Sequence, residues 1–412
     1  MINVLHINYS DIIGARFNGF YMLEGSSVEG VSFSMAVWEK KSRRNDVYEL
    51  PPFNKLIKRI VWFMLHVLYK FGNDHLTSIA GYYLLSNTEY YKKADVVHLH
   101  IIHSDSNISF RVIEKICKEK KVVWTFHDQW PVSGGCIHPF ECNGVSLGCS
   151  KKCPHPRYKN AIFGEYMPYR AYKVRKKVYE KSDFDIVVST NWMKDKVLSN
   201  LATSNKNIHI IPFGLDTSIF KNKGKEATRI KLNIPQDDFV ILLRNSGTDP
   251  MKGLQYSIEG ILKSEIERKT TIVTIDKVGG LEVIGKKYNL LETGWQDTES
   301  LIDILSAVDV LLMPSLQESF GLMSVEAMSC GVPVIVAEGT ALPDVVKDGE
   351  GGIVVPSRSA SGIAKALNNL GRDRDYLVRL SSSARNRAVQ KYELRDCINQ
   401  HINIYKNLFD NL

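Results

Sequence analysis

Two carboxylates frame the segment Glu318-Ser-Phe-Gly-Leu-Met-Ser-Val-Glu326, with seven residues between them. The segment lies between the apolar run Val308-Asp-Val-Leu-Leu-Met-Pro314 and Cys330-Gly-Val-Pro-Val-Ile335. A helix opening at Gly321 or Leu322 leaves its first backbone N–H groups without intrahelical acceptors, which makes an anion site. Glu318 then stands at the mouth of that site and Glu326 on the second turn. A phosphate pocket flanked by two acceptors for hydroxyl groups is what a sugar nucleotide requires. The plainer alternative is a buried strand followed by an ordinary helix, with Glu318 complementing the helix dipole. A second pair of residues favours the phosphate reading. In Leu242-Leu-Arg244-Asn-Ser-Gly-Thr-Asp-Pro-Met-Lys252-Gly-Leu, Arg244 ends a strand and Lys252 opens a helix. Single cations are mostly solvated, but two on one strand–helix loop can both face a diphosphate through charge-assisted contacts.

Residues so placed need strands that deliver them to one edge, and the chain supplies short β-branched runs alternating with helical stretches. Strands are expected at Val4–Ile7, Asp95–Ile101, Lys121–Phe126, Asp185–Ser189 and Ile208–Pro212. A second set follows at Val240–Leu243, Thr270–Ile275, Val308–Met313, Val332–Val336 and Gly352–Val355. Several are continuous apolar runs, as in parallel strands covered on both faces. Helices are expected between them, among others at Ser106–Glu119, Leu254–Ile266, Thr298–Ala307 and Ala360–Leu370. The pattern predicts doubly wound α/β architecture. The polar connector Phe220-Lys-Asn-Lys-Gly-Lys-Glu226 separates the two sets. It places a boundary near Asn222 between two Rossmann-like halves, residues 1–222 and 223–392, with a final helix over 393–412 that could return to the first half. In such sheets ligands bind at the carboxyl ends of strands, and a cleft between halves is a favoured site. The length of 412 residues fits two domains. No Gly-x-Gly-x-x-Gly follows the first strand and no Gly-x-x-x-x-Gly-Lys-Ser/Thr occurs, so dinucleotide and P-loop readings lose their support.

The second half closely resembles the donor domain of retaining GT-B glycosyltransferases of family 4. The landmarks are Ile211-Pro-Phe-Gly-Leu-Asp216, Arg244 with Lys252-Gly253, Gly294-Trp295, Ser306-Ala-Val-Asp-Val310, the Glu318 to Glu326 segment, Gly331-Val-Pro-Val-Ile335 and Gly349 to Val354. They occur in the family's order, and the likeness is strongest from about residue 185 to 356. The resemblance implies a GT-B fold of two Rossmann-like domains and transfer of a sugar from a UDP- or GDP-type nucleotide sugar. The anomeric configuration would be retained, with no catalytic metal. It implies that Arg244 and Lys252 hold the donor diphosphate with backbone N–H groups near Ser319, Phe320, Gly321 and Leu322. Glu318 would face the donor sugar and Glu326 the ribose. The gap of seven residues between Arg244 and Lys252 is longer than in most relatives, so the loop must bulge. In the first half Trp124-Thr-Phe-His127-Asp128 ends a strand. Residues alone leave His127 equally a loop-capping histidine, while the resemblance puts an active-site His there and gives Asp128 a supporting role. Gly14-Ala15-Arg16 follows the first strand, where relatives carry a glycine-rich loop near the phosphates; one glycine of the usual pair remains.

Cys136, Cys142, Cys149 and Cys153 crowd four thiols into eighteen residues of a Gly/Pro-rich loop. A chain opening on Met1-Ile-Asn-Val-Leu-His-Ile-Asn8 shows no signal peptide, so reduced thiols in the cytoplasm are expected. Four thiolates suit a structural zinc, with His138 and His155 as substitute ligands. A similar Cys-rich loop follows the His-Asp pair in relatives of the colanic-acid type that build exopolysaccharides. His98, His100 and His103 lie in one strand-like stretch and are expected to line core or cleft. The net charge of +8 fits a polyanionic ligand, an anionic membrane or nucleic acid. No nucleic-acid module is present. The Lys55–Lys70 stretch is basic at both ends and apolar between, and Arg170–Lys181 carries six cations against one Glu. Both are read as peripheral contacts with an anionic membrane, beside a glycan or polyprenyl-linked oligosaccharide acceptor. An epimerase of the same fold is the rival enzyme, and a nucleic-acid-binding protein the rival of another class.

Overall fold

A computed structural model describes residues 1–25, 30–70, 78–102, 108–140, 142–153 and 165–410. The chain forms two compact units, Met1–Ile211 with Cys397–Leu412, and Pro212–Asp396. The expected boundary near Asn222 moves back to Ile211 for a physical reason. Leu215 donates its N–H to the Tyr392 carbonyl (2.7 Å) and accepts from Leu394 N–H (3.0 Å), and Phe213 packs edge-on against Phe320. The 212–220 segment is therefore built into the second unit.

Among the described residues the first unit holds seven parallel strands: β1 (Ile2–Ser10), β2 (Val31–Glu39), β3 (Val47–Glu49), β4 (Val96–Leu99), β5 (Lys121–Thr125), β6 (Asp185–Val188) and β7 (Ile208–Ile210). Their order is β3-β2-β1-β4-β5-β6-β7. The second unit holds six: β8 (Phe239–Asn245), β9 (Thr270–Asp276), β10 (Asn289–Glu292), β11 (Val310–Met313), β12 (Val334–Ala337) and β13 (Gly352–Val355), ordered β10-β9-β8-β11-β12-β13. Both orders reverse direction beside the first strand of the unit, the doubly wound pattern whose switch point gathers ligands. Every expected strand is present. The sequence reading lacked β2, β3 and β10.

Burial on both faces explains the strand sequences. Val240, Ile241 and Leu242 of β8 and Val310 and Leu311 of β11 are fully buried. The helix expected from Ser106 begins at Phe110, with Ser109 at its cap. The helix Thr298–Ala307 has the expected bounds and is capped by the Asp297 carboxylate, which accepts from Ser300 N–H at 2.8 Å. The last helix, Leu394–Asp410, packs within the first unit through Cys397, Ile402 and Tyr405, all buried.

Candidate functional site

The loops after β8 and β11, the two strands at the switch point of the second unit, converge on one ion pair. Lys252 Nζ lies 2.9 Å from Glu318 Oε2, both side chains largely buried. The approach is built by the backbone. Gly253 takes φ +67°, and a Cβ there would stand 2.2 Å from the carbonyl oxygen of Pro314, the residue after β11. Met251 O accepts from Leu316 N–H at 2.8 Å, which fastens one loop to the other. Asp249 caps the intervening turn by accepting from Met251 N–H at 2.9 Å. That turn, Pro250–Lys252, takes up the long spacing from Arg244.

Gly321 (φ +88°) opens the helix Leu322–Ser329, and a Cβ on it would collide with Leu342 at 2.3 Å. The first N–H groups of this helix lack intrahelical acceptors. Ser319 and Phe320 are buried, Phe320 against Phe213 and Tyr392, so the turn is anchored by its side chains. Glu326 sits on the second turn of the helix at 1% exposure. Its charge helps push the Cys330 thiol up to about 12, after burial itself.

Arg244 is engaged differently from the expectation. Its Nε forms an ion pair with Asp276, the last residue of β9, and does not stand free beside Lys252. Asp276 adopts φ +76°, uncommon for a residue with a side chain, and donates its N–H to Gly294 O at 2.9 Å. Three further groups on these loops escaped the sequence reading. Lys277 lies where a side chain on Gly247 would stand, 2.5 Å from its Nζ. Ser246 Oγ and Gln317 Oε1 are buried with no hydrogen-bond partner among the described residues, polar groups that a ligand would satisfy. A cavity of about 730 Å³ lies at the opposite, amino ends of the strands. Its cations hold protein groups: Arg229 binds Asp309 at 2.8 Å, and Arg385 binds Ser329 O at 2.6 Å.

In the first unit His127 follows β5 and is half-buried. Its Nε2 is 3.1 Å from His100 Nδ1, and His100 Nε2 is 2.9 Å from His6 Nδ1. An imidazole ladder thus leads from β1 past the end of β4 to the loop after β5. Asp128 accepts from Trp130 N–H at 2.7 Å and shapes the following turn. Gly14 (φ +74°) turns the loop after β1, whose Phe17 ring lies 5.7 Å from the His127 ring. Gly19 (φ +88°) leaves room for the ladder, since its Cβ would be 2.5 Å from His100 Nε2. Arg16 is on the same loop. Burial, then the neighbouring His401, lowers the His6 pKa to about 3, and burial lowers His98 and His100 well below their ordinary value. Among the described residues His6, His98 and His100 are the only trio whose potential ligating atoms all lie within 4.8 Å. Cys136, Cys142, Cys149 and Cys153 therefore do not converge on one centre, and burial with the neighbouring cysteines raises the Cys136 and Cys149 thiols. His98 is already bonded to Tyr405 (2.6 Å) and Thr125 (2.7 Å), so the cluster is a hydrogen-bonded core. His103 and His155 lie outside the described residues.

The helix Lys55–Lys70 exposes Leu56, Ile57, Ile60, Phe63, Met64 and Val67. In the helix Met167–Lys181, by contrast, Arg175 is buried, its guanidinium 4.2 Å from the Trp130 ring. One of the six cations counted as surface charge is therefore a core group. Among the described residues no helix is long and apolar enough to cross a membrane.

The chain is similar to known glycosyltransferases in sequence and in fold. Residues 224–387 match the family described as Glycosyl transferases group 1. The chain is 24% identical over 338 residues, 81% of its length and 85% of the other's, to an uncharacterized 41.2 kDa protein in the cps region of Klebsiella pneumoniae. It is 27% identical over 250 residues, 58% of its length and 57% of the other's, to the MMP alpha-(1->4)-mannosyltransferase of Mycolicibacterium hassiacum. Apart from the cps-region protein, the chain spans about half the length of the curated relatives it matches. Sucrose-phosphate synthase from Thermosynechococcus elongatus superposes with a TM-score of 0.69 at 18% identity over the whole of both chains. Anabaena Alr3699/HepE, solved in complex with UDP and glucose, gives 0.66 at 14% identity over 99% of this chain and all of that one. The fold is that of the GT-B glycosyltransferases, and residues 224–387 of the second unit are similar to the group 1 glycosyl transferases.

Proposed function

We propose that the chain is a retaining glycosyltransferase of family 4 that moves a hexose from a nucleotide sugar to a glycan or polyprenyl-linked oligosaccharide in polysaccharide biosynthesis. The observation that carries the reading is the Lys252–Glu318 pair, 2.9 Å apart between the two switch-point loops. A diphosphate at the open turn of Leu322–Ser329 competes with Glu318 for the Lys252 ammonium. As Lys252 turns to the phosphates, Glu318 is released to accept from hydroxyls of the donor sugar. Glu326, one turn into the helix, takes the ribose hydroxyls. Arg244 joins the phosphates on leaving Asp276, and the free Ser246 and Gln317 oxygens offer further polar contacts.

In the transfer the bond from the anomeric carbon to the diphosphate oxygen breaks and one to the acceptor oxygen forms. The acceptor proton passes to the departing phosphate. Lys252, Arg244 and the helix N-terminus stabilise the charge that grows on the leaving group, the kind of preorganised electrostatics that usually dominates. His127, hydrogen-bonded to His100, and Asp128 are assigned to the donor sugar or the acceptor. The HepE structures with UDP and with UDP-glucose support a UDP-type donor, and the cps-region relative supports a polysaccharide product. The apolar face of Lys55–Lys70 is read as the contact with an anionic membrane.

Thermal-shift screening against UDP, GDP, ADP and CMP tests donor binding, because stabilisation follows affinity. A product assay with the stabilising nucleotide's sugars and a lipid-linked acceptor then tests transfer. Conversion of the nucleotide sugar without acceptor would assign an epimerase instead. Flotation with phosphatidylglycerol vesicles tests the membrane contact, and no association would remove it.

A further inference from the structure

We propose that the cavity of about 730 Å³ at the amino ends of the second unit's strands binds a phosphorylated sugar, at a site separate from the proposed donor site. The separation is built into the sheet. Lys252 and Glu318 stand on loops after the carboxyl ends of β8 and β11, whereas Val308, Asp309 and Val332 of the cavity precede β11 and β12. β8 alone is seven residues long, which puts roughly 20 Å of strand between its two ends.

One wall is a single helix face. Arg374, Leu377, Val378, Ser381, Ser382 and Arg385 recur at helical spacing along the helix Arg374–Lys391, and all six line the cavity. Lys221, Lys225, Arg229 and Arg268 complete its cations, and among the described lining residues Asp309 is the one carboxylate. Lys225 at 2.7 Å and Arg229 at 2.8 Å already neutralise it. Arg385 is held by the carbonyls of Phe220 (2.9 Å), Ser329 (2.6 Å) and Thr217 (3.1 Å), and Arg268 by that of Asp237 (3.1 Å). Carbonyl dipoles fix these two guanidinium groups without cancelling their charge. Lys221 and Arg374 form no ion pair among the described residues, and the adjacent Asp373 carboxylate accepts from Tyr376 N–H at 2.8 Å. A concave surface with uncompensated positive charge concentrates anions, and its Arg and Lys side chains suit phosphate oxygens.

The size and the rest of the lining select what the phosphate is attached to. A lone phosphate ion would leave most of the 730 Å³ empty, whereas sites for small metabolites run upward from roughly 300 Å³. Ser381, Ser382, Asn386 and Gln236 supply hydroxyl and amide groups that pair with sugar hydroxyls. Val332, Leu377 and Val378 offer aliphatic surface to the C–H groups of a hexose. Among the described lining residues none is aromatic, so a nucleobase would find no ring to stack on. Gly331 (φ +77°) keeps the space beside the helix open, since within 4 Å a Cβ there would meet only Ser381 O, at 3.8 Å.

Titration calorimetry on the full chain with glucose 6-phosphate, glucose 1-phosphate, glucose and inorganic phosphate tests the site. At least one of the two sugar phosphates should bind, more tightly than inorganic phosphate, and glucose should not bind. Lys221→Gln combined with Arg374→Gln should weaken that sugar phosphate at least about tenfold, the scale of a lost charge-assisted contact. Both side chains are exposed, so circular dichroism should show an unchanged fold. Ser382→Trp, which fills the cavity from an exposed helix position, should abolish binding. Lys252→Gln, at the proposed donor site, should leave it unchanged. Binding of neither sugar phosphate, equal affinity for inorganic phosphate, or an affinity that follows Lys252→Gln rather than the paired Lys221 and Arg374 change would overturn the proposal. None of these outcomes depends on whether the chain transfers a sugar.

Discussion

All eleven histidines of the chain lie outside Pro212–Asp396, so mild acid should unfold the two units separately. His6, His98, His100 and His401 are fully buried in the first unit, and burial depresses the pKa of each, to about 3 for His6 and about 4 for His401. Against burial, the Cys397 carbonyl 2.9 Å from His401 Nδ1 favours the charged form of that one ring without outweighing desolvation. The Tyr21 and Tyr405 hydroxyls beside them are pushed well above their ordinary value by burial and stay neutral. The unfolded chain takes up these protons near pH 6.5, while the folded unit refuses them until well below pH 5. The unfolded state thus binds more protons throughout that interval, and stability falls as pH falls. At pH 5.5 each histidine contributes a loss of about 1.4 kcal/mol, so the four together remove roughly 5–6 kcal/mol. That is comparable to the whole stability of many domains. Of the six tryptophans only Trp295 belongs to the second unit. Tryptophan fluorescence therefore follows the first unit, and far-UV circular dichroism follows both. Urea unfolding at pH 7.5 and 5.5 should move the fluorescence midpoint strongly and leave a second dichroism transition in place. His401→Leu should reduce the acid loss by about a quarter. An acid shift shared equally by both probes, or none in fluorescence, would refute the reasoning.

Four substitutions in the second unit probe the proposed donor site. Gly253→Ala forces a Cβ onto Pro314 O in a left-handed conformation; it should cost about 3 kcal/mol and lower the unit's Tm, read by circular dichroism. Glu318→Gln leaves the Lys252 ammonium without its partner, so nucleotide affinity should hold or rise while kcat falls about 100-fold; an equal loss in both would assign Glu318 to simple binding. Glu326→Gln should weaken UDP or GDP binding about tenfold by calorimetry, the scale of one charge-assisted hydrogen bond. Asp276→Asn removes the carboxylate that holds Arg244 and should tighten nucleotide binding severalfold; unchanged affinity would take Arg244 out of the diphosphate site.

Much of this was readable from the chain because the relevant signals are local. The continuous runs of β8, β11 and β12 reflect burial on both faces, and the glycines at 253 and 321 mark turns whose conformation few other residues tolerate. What stayed hidden depends on register across strands. Asp276 meets Arg244 only because β8 and β9 pair with Asn245 opposite Asp276. The His6–His100–His127 ladder draws one residue from each of three segments, and no spacing announces it. Arg175 reads as one more cation in a basic stretch, yet its guanidinium packs against both Trp130 and Phe110. Of the strands the reading lacked, β3 is only three residues long, and β10 is an edge strand of mixed polarity.

The last helix gives the chain an order of assembly. Tyr405 completes a hydrogen bond to His98, and Cys397 meets the Tyr21 hydroxyl at 3.6 Å, partners more than three hundred residues earlier. During synthesis the unit that begins first must therefore wait until this helix has emerged. The inserted unit, Pro212–Asp396, has every strand of its sheet available before that helix emerges. Folding from the N-terminus onward, the usual expectation for successive domains, is reversed at the closing step. Loss of the final residues should accordingly expose the imidazole ladder while sparing the sheet that carries Lys252 and Glu318.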